Sequence, residues 1–183
     1  MGYIGISTWG SNNIIRYNKV DGFCSILPDG GGIYANYIGS EPYPTGIKVY
    51  NNIVKNGGGK GLYSDAVNQN TEWYNNTVMN CVSGILLNTP INHNVRDNTF
   101  FNCTFGMNFY NWHTNSLTPT GCVVSNNTIV EGTNSTFAVK IGDSTNRDIL
   151  SMGTVNGNKF YSETWKQTAQ FKAYFNPAAP LTN

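Results

Sequence analysis

The chain has 183 residues, a length suited to one domain. Only 11% of residues are charged, 13% are aromatic and the formal net charge is +1. A disordered chain would be rich in charge and poor in aromatics, and a nucleic-acid binder would carry a basic patch, so this composition favours neither. No apolar run reaches the roughly 20 residues of a membrane span. The start, Met1-Gly2-Tyr3-Ile4, lacks the basic and apolar regions of a signal peptide, so any leader is expected to have been removed or to lie outside this chain.

In chain order, six turn motifs centred on Asn recur. They are Asn12-Asn13-Ile14-Ile15, Asn51-Asn52-Ile53-Val54, Asn75-Asn76-Thr77-Val78, Asp97-Asn98-Thr99-Phe100, Asn126-Asn127-Thr128-Ile129 and Gly157-Asn158-Lys159-Phe160. Successive central Asn residues are 39, 24, 22, 29 and 31 positions apart. Self-similarity at a period of 20 to 50 residues signals stacked repeats. Three positions before the Asn stand Val49, Trp73, Val95, Val124 and Val155, with Gly10 breaking the row. Two positions after it stand Ile15, Val54, Val78, Phe100, Ile129 and Phe160. Both rows are expected to face inward. The Asn between them tolerates the left-handed conformation that a sharp turn needs, and its amide can bond its counterpart in the next repeat.

A further strand follows each turn: Gly32-Ile33-Tyr34-Ala35, Gly61-Leu62-Tyr63-Ser64, Gly84-Ile85-Leu86-Leu87, Gly106-Met107-Asn108-Phe109 and Ala138-Val139-Lys140-Ile141. Alternation of period two directs Ile33, Leu62, Ile85, Met107 and Val139 inward. The outward row is then Tyr34, Tyr63, Leu86, Asn108 and Lys140, followed two places on by Asn36, Asp65, Asn88, Tyr110 and Gly142. Each repeat holds about three short strands and three turns. The fold class expected is all-β, a right-handed single-stranded parallel β-helix of about six rungs with an Asn ladder, over residues 1–162. Right-handed parallel crossovers give the handedness. Residues 163–183 depart from the pattern and are expected to form a terminal cover strand or tail. Uncapped repeats expose strand edges, so the remainder of a longer β-helix or another subunit is the expected partner at the ends.

Four cysteines, Cys24, Cys81, Cys103 and Cys122, form no C-x-x-C pair, which argues against a zinc ribbon. Cys81 and Cys103 each fall five residues after a motif Asn, hence on adjacent repeats about 4.8 Å apart. A column of buried thiols is expected there, and the spacing is also compatible with a bridge. Sequons at Asn75, Asn102, Asn126 and Asn134 read as by-products of the Asn-Thr repeat.

Function is sought on the longest insertions and the outward row. Tyr34, Tyr63, Tyr110 and Trp112 could stack on sugar C–H faces, and Asn36, Asn88, Asn108 and Asp65 could bind hydroxyls. Lys60 and His113 join them as candidate substrate contacts. Outward Tyr and Asn also suit strands and turns with no ligand at all. Asp29, ahead of a triple Gly that permits close approach, and Asp65, at a strand exit, are the candidate catalytic carboxylates, because glycoside hydrolysis needs an acid and a base or nucleophile. An Asx-turn for Asp29 and a turn cap for Asp65 are the plain alternatives. The register sets Asp29 opposite Gly58, more than about 20 Å along an extended chain from the position of Asp65, so only a bend at the Gly run joins the two. Asp21 is a substitute partner. A lyase would need a base and a carboxylate-neutralising group, for which Lys60, Tyr63, His93, Arg96 and His113 are available. His93 is expected near a turn, in a structural role. No cofactor is expected. Calcium is conceivable, but no Asp cluster for it is evident.

The repeated Asn-Asn-x-Ile/Val followed by Gly-Ile/Leu-Tyr resembles the right-handed β-helix superfamily of carbohydrate-active proteins, the pectate-lyase-like group, from about residue 2 to 162. Asp29-Gly30-Gly31-Gly32-Ile33-Tyr34 with Leu62-Tyr63-Ser64-Asp65 is similar to β-helical glycoside hydrolases of the xylosidase and fucosidase types. That resemblance implies acid/base and nucleophile roles for Asp29 and Asp65, an oligo- or polysaccharide substrate and an extracellular or cell-surface location. The Asn-Thr-Asp and Asp-Asp signatures of polygalacturonases, the Asp-Pro-His-Asp of alginate epimerases and the Arg with calcium-binding Asp set of pectate lyases are missing. Polysaccharide lyase activity and a non-catalytic glycan-binding or fibre module are the other readings.

Overall fold

The computed structural model describes residues 1–37, 42–65, 67–111, 117, 119–143 and 152–162. The expected tail at 163–183 lies outside them, as do Trp112 and His113. The described residues contain strands and no helix. Sixteen strands form two parallel sheets. The six-stranded sheet holds β2 (Ile14–Arg16), β5 (Lys48–Tyr50), β7 (Glu72–Tyr74), β9 (Asn94–Arg96), β12 (Cys122–Ser125) and β15 (Gly153–Asn156). The ten-stranded sheet holds β1 (Ile6–Thr8), β3 (Lys19–Asp21), β4 (Gly31–Ala35), β6 (Ile53–Ser64), β8 (Thr77–Asn88), β10 (Thr99–Phe101), β11 (Phe105–Asn111), β13 (Thr128–Glu131), β14 (Phe137–Asp143) and β16 (Lys159–Ser162). Two of the three short strands expected per repeat run together in β6 and in β8, each 12 residues long. The join in β6 carries a register shift between Gly57 and Lys60.

Between the sheets runs a column of asparagines. The Nδ2 of each donates to the Oδ1 of the next: Asn18 to Asn52, Asn52 to Asn76, Asn76 to Asn98 and Asn98 to Asn127, all at 3.0 Å, then Asn127 to Asn158 at 2.9 Å. Each backbone N–H in this row donates to the same oxygen. From Asn52 onward the second Nδ2 hydrogen goes back to a carbonyl of the preceding repeat, at Ile15, Val49, Trp73, Val95 and Val124. The amides are thereby satisfied although Asn52, Asn76, Asn98 and Asn127 are buried, which is what lets polar groups occupy an interior.

Two sequence expectations need correction. The first member of the column is Asn18, not Asn13, whose amide instead bonds Thr8, Trp9 and Gly10. Ile15 pairs with Val49, and Val20 pairs with Val54, so the first spacing is that between Asn18 and Asn52. The Asn12-Asn13 pair looks like the motif but has its apolar residues in the wrong strand. The left-handed turn and the ladder amide also belong to different residues. Positive φ falls on Tyr17, Asn51, Asn75, Asp97, Asn126 and Gly157, each one place before the ladder residue. The ladder Asn is then free to use its amide along the stack.

The inward rows are as read: Val49, Trp73, Val95, Val124, Val54, Val78, Phe100, Ile129, Ile33, Leu62, Ile85 and Met107 are all buried. Val155 occupies the same row but is 53% exposed, because β15 is the edge strand of its sheet. Gly32, in the run after Asp29, and Gly57 both serve this packing. A Cβ at Gly32 would lie 2.3 Å from Val54, and one at Gly57 would lie 2.0 Å from the Phe23 ring. The four cysteines are buried free thiols, and Cys81 Sγ donates to Met79 O and Cys103 Sγ to Phe101 O.

Candidate functional site

The site is assembled by β4, β6, β8 and β11. Their register aligns Tyr34 with Tyr63, Tyr63 with Leu86, Leu86 with Asn108 and Asn108 with Lys140. Two residues on, Asn88 aligns with Tyr110. The expected outward rows are therefore the observed ones. Their exposure is not as expected. Tyr34 is 7% exposed and Tyr63 is 6% exposed, and they pack with Leu86, Ile4 and Tyr110 into a second apolar cluster. The two rings stack on each other with centroids 4.7 Å apart, so little ring face is left for a sugar.

What they present instead is polar edge. The Tyr34 phenol donates to Asp65 Oδ2 at 2.6 Å, and Asn88 Nδ2 donates to Asp65 Oδ1 at 2.7 Å. Burial, then the hydrogen bond and charge of Asp65, push the Tyr34 hydroxyl well above its ordinary value. Burial does the same to Tyr63, followed by the charges of Asp65 and Asp29. Asp65 is further anchored through its backbone, whose N–H donates to Ala35 O at 2.9 Å while its carbonyl accepts from Asn68 Nδ2 at 2.6 Å. Asn36 is buried beside it and donates its N–H to Thr8 O. In the same row, Asn108 Oδ1 is buried and has no hydrogen-bond partner.

Asp29 stands beside Lys60. Its side chain is 86% exposed, and its Oδ1 lies 2.8 Å from Lys60 Nζ. Lys60 Nζ sits 5.0 Å from the centre of the Tyr63 ring. The Tyr3 hydroxyl donates to the Asp29 carbonyl and fixes the loop. The β4–β6 register is the expected one, with Gly31 opposite Lys60, and the Lys60 side chain reaches Asp29. After burial, the charges of Asp65 and Asp29 both raise the pKa of Tyr63. Asp21 does not substitute: it is bound by Asn56 at 2.9 Å and Lys55 at 3.1 Å, and those contacts lower its pKa, the Asn56 hydrogen bond most.

The lyase candidates are scattered. Arg96 lies on the six-stranded sheet, 4.1 Å from the Tyr74 ring centre and paired with Glu72 and Asp97. His93 is buried, as a structural role requires. Its Nδ1 hydrogen can only donate to the Ile91 carbonyl at 3.2 Å, which leaves Nε2 to accept from Ser64 Oγ at 2.8 Å. Burial lowers its pKa to about 4. Sequence reasoning missed this Ser64–His93 pair, one residue from Asp65, because the two lie 29 positions apart and no motif links them. It also missed a second aromatic stack, Tyr50 on Tyr74 at 4.6 Å, whose free face is capped by Arg96. Equivalent aromatic positions in successive repeats were the available signal for that stack.

No protein-family model, curated protein or solved structure matches this chain. The functional reading therefore rests on the residues themselves. Among the described residues, no group of three or more His, Cys, Asp or Glu could hold a metal ion.

Proposed function

We propose that the two parallel sheets and the Asn column are parts of a right-handed parallel β-helix of the pectate-lyase-like kind, and that the chain is a glycoside hydrolase or part of one. The alternation of the chain between the two sheets, one repeat after another, supports the fold. The observation that carries the function is a pair of carboxylates in different surroundings, Asp65 beside Tyr34 and Asp29 beside Lys60. Asp65 is oriented by a phenol and an amide, while Asp29 faces solvent beside Lys60. Hydrolysis of a glycosidic bond needs two carboxyl groups in different surroundings, one to protonate the leaving oxygen and one to attack or to activate water. Asn36, Asn88 and Tyr110 would contact the sugar, with an oligo- or polysaccharide as substrate and an extracellular or cell-surface location.

A lyase is less well supported. A tyrosine base must lose its proton readily, and burial next to Asp65 has the opposite effect on Tyr63. A stacking platform is also less well supported, because the Tyr34 and Tyr63 rings cover each other. The test is product release from chromogenic glycosides and from oligosaccharides. Asp29→Asn and Asp65→Asn are each expected to lower turnover by about 10²-fold or more. Asp29→Asn should leave the melting temperature unchanged, because its side chain is exposed. Full activity in both variants would refute the assignment. An unsaturated product absorbing in the near ultraviolet would indicate the lyase, and binding without turnover would indicate a glycan-binding module.

A further inference from the structure

Two of the four buried thiols face each other across neighbouring repeats. Met79 pairs with Phe101 and Ser83 pairs with Phe105, both in parallel register. Each segment advances the same number of residues between those pairs, so Cys81 stands opposite Cys103 with no bulge between them. The Thr104 N–H donates to Cys81 O at 3.1 Å and holds the two backbones together at that point. The side chains also take the same course. Cys81 Sγ donates to Met79 O at 3.2 Å and Cys103 Sγ to Phe101 O at 3.5 Å, each the carbonyl two places back on its own strand. The sulfurs therefore stack about one strand spacing apart, roughly 4.8 Å. Neither of the other thiols has an aligned cysteine. A Cβ at Gly59 would lie 2.9 Å from Cys24 Sγ, and one at Gly30 would lie 3.0 Å from it. Cys122 pairs with Gly153 on the six-stranded sheet, and its Sγ faces the carbonyls of Pro90 and Thr120.

We propose that Cys81 and Cys103 form an oxidation site, at which hydrogen peroxide joins them as a reversible disulfide between adjacent repeats. Aligned residues on neighbouring strands fall within the Cα separation a disulfide accepts, about 4.4–6.8 Å. Both residues are buried, so the oxidant must be small. One Sγ, as its thiolate, attacks a peroxide oxygen. The O–O bond breaks, one water leaves and a sulfenic acid forms. The second Sγ attacks that sulfur, the S–O bond breaks, the S–S bond forms and a second water leaves. The cysteines lose two electrons and two protons in all, and the peroxide takes them up as two waters. Parallel alignment sets the two Cβ atoms near the strand spacing, wider than the roughly 3.5–4.5 Å of a relaxed bridge. The bond is therefore strained and easily reduced. It ties the repeat of β8 to that of β11, the strands that carry Asn88 and Tyr110 of the candidate site.

Peptide mapping of the wild-type protein tests this. The folded protein is treated with hydrogen peroxide, then unfolded and alkylated. One linked peptide pair containing Cys81 and Cys103 is expected, with Cys24 and Cys122 alkylated. Dithiothreitol applied to the folded, oxidised protein should restore four alkylatable thiols. Cys103→Ser should give no linked peptide and should leave a sulfenic acid at Cys81 that dimedone traps. Four alkylatable thiols after peroxide would overturn the proposal. So would a link between Cys81 and Cys24, or a bridge that dithiothreitol cannot open without unfolding the chain.

Discussion

Asparagines stack in columns in this protein, and the contrast between an inner and an outer one shows what burial does to one residue type. In the inner column, Asn52, Asn76, Asn98 and Asn127 are buried, and each bonds both neighbours and a backbone carbonyl. In the outer column, Asn102 donates to Asn80 at 2.9 Å and Asn80 to Asn56 at 3.0 Å, with Asn56 and Asn80 exposed, Asn102 half-buried and all three backbones at positive φ. The outer amides can exchange their partners for water. The inner ones cannot, so each loss there leaves several groups unpaired. The inner column therefore supplies order along the stack, and the outer one chiefly supplies turn geometry.

The largest effect that separates the columns is expected at Asn76. Asn76→Ala strands the donors of Asn52 and the carbonyl of Val49, leaves Oδ1 of Asn98 with only the backbone donor of residue 76, and should destabilise by about 3 kcal/mol in urea denaturation. Equal effects at Asn76 and Asn80 would break the comparison.

The same rule applied to a buried titratable group gives an effect nearly as large. His93 is neutral in the fold, with a pKa of about 4 against an ordinary 6.5. The unfolded chain takes up that proton first as pH falls. The associated stability, about 3 kcal/mol, is fully present above pH 6.5 and is lost progressively toward pH 4. Comparing the urea midpoints of wild type and His93→Gln across that range isolates the contribution. A parallel pH dependence in the two would contradict it.

Packing comes next. Gly57→Ala drives a Cβ into the Phe23 ring and should cost about 1–3 kcal/mol, most of it recovered in a double variant with Phe23→Leu. The smallest effect is expected in the outer column. Asn80→Gly keeps the positive φ of 55° available and should change stability by less than about 1 kcal/mol.

Residue order alone was enough to find the inner rows, the outward rows and the repeat, because side chains of period two on stacked strands leave a regular apolar trace. It was also enough to bring Tyr34, Tyr63, Asp65, Asn88 and Tyr110 into neighbouring positions, since they share one register. It misread the first repeat, where Asn12-Asn13 imitates the motif while Asn18, preceded by Tyr17 at positive φ, enters the column. A dipeptide carries no record of which strand pairs with it.

Only the folded arrangement decided the chemistry of the site. The reach of the Lys60 side chain brought it onto Asp29, and no local pattern announces that contact. Burial withdrew the faces of the two outward tyrosines and left the Tyr34 hydroxyl as a donor to Asp65, because Ile4, Leu86 and Tyr110 converge on them. Ser64 and His93 met for the same reason. Spacing along the chain sets which way a side chain points. What it meets there depends on residues far away in sequence, and those contacts fix its exposure and its affinity for a proton.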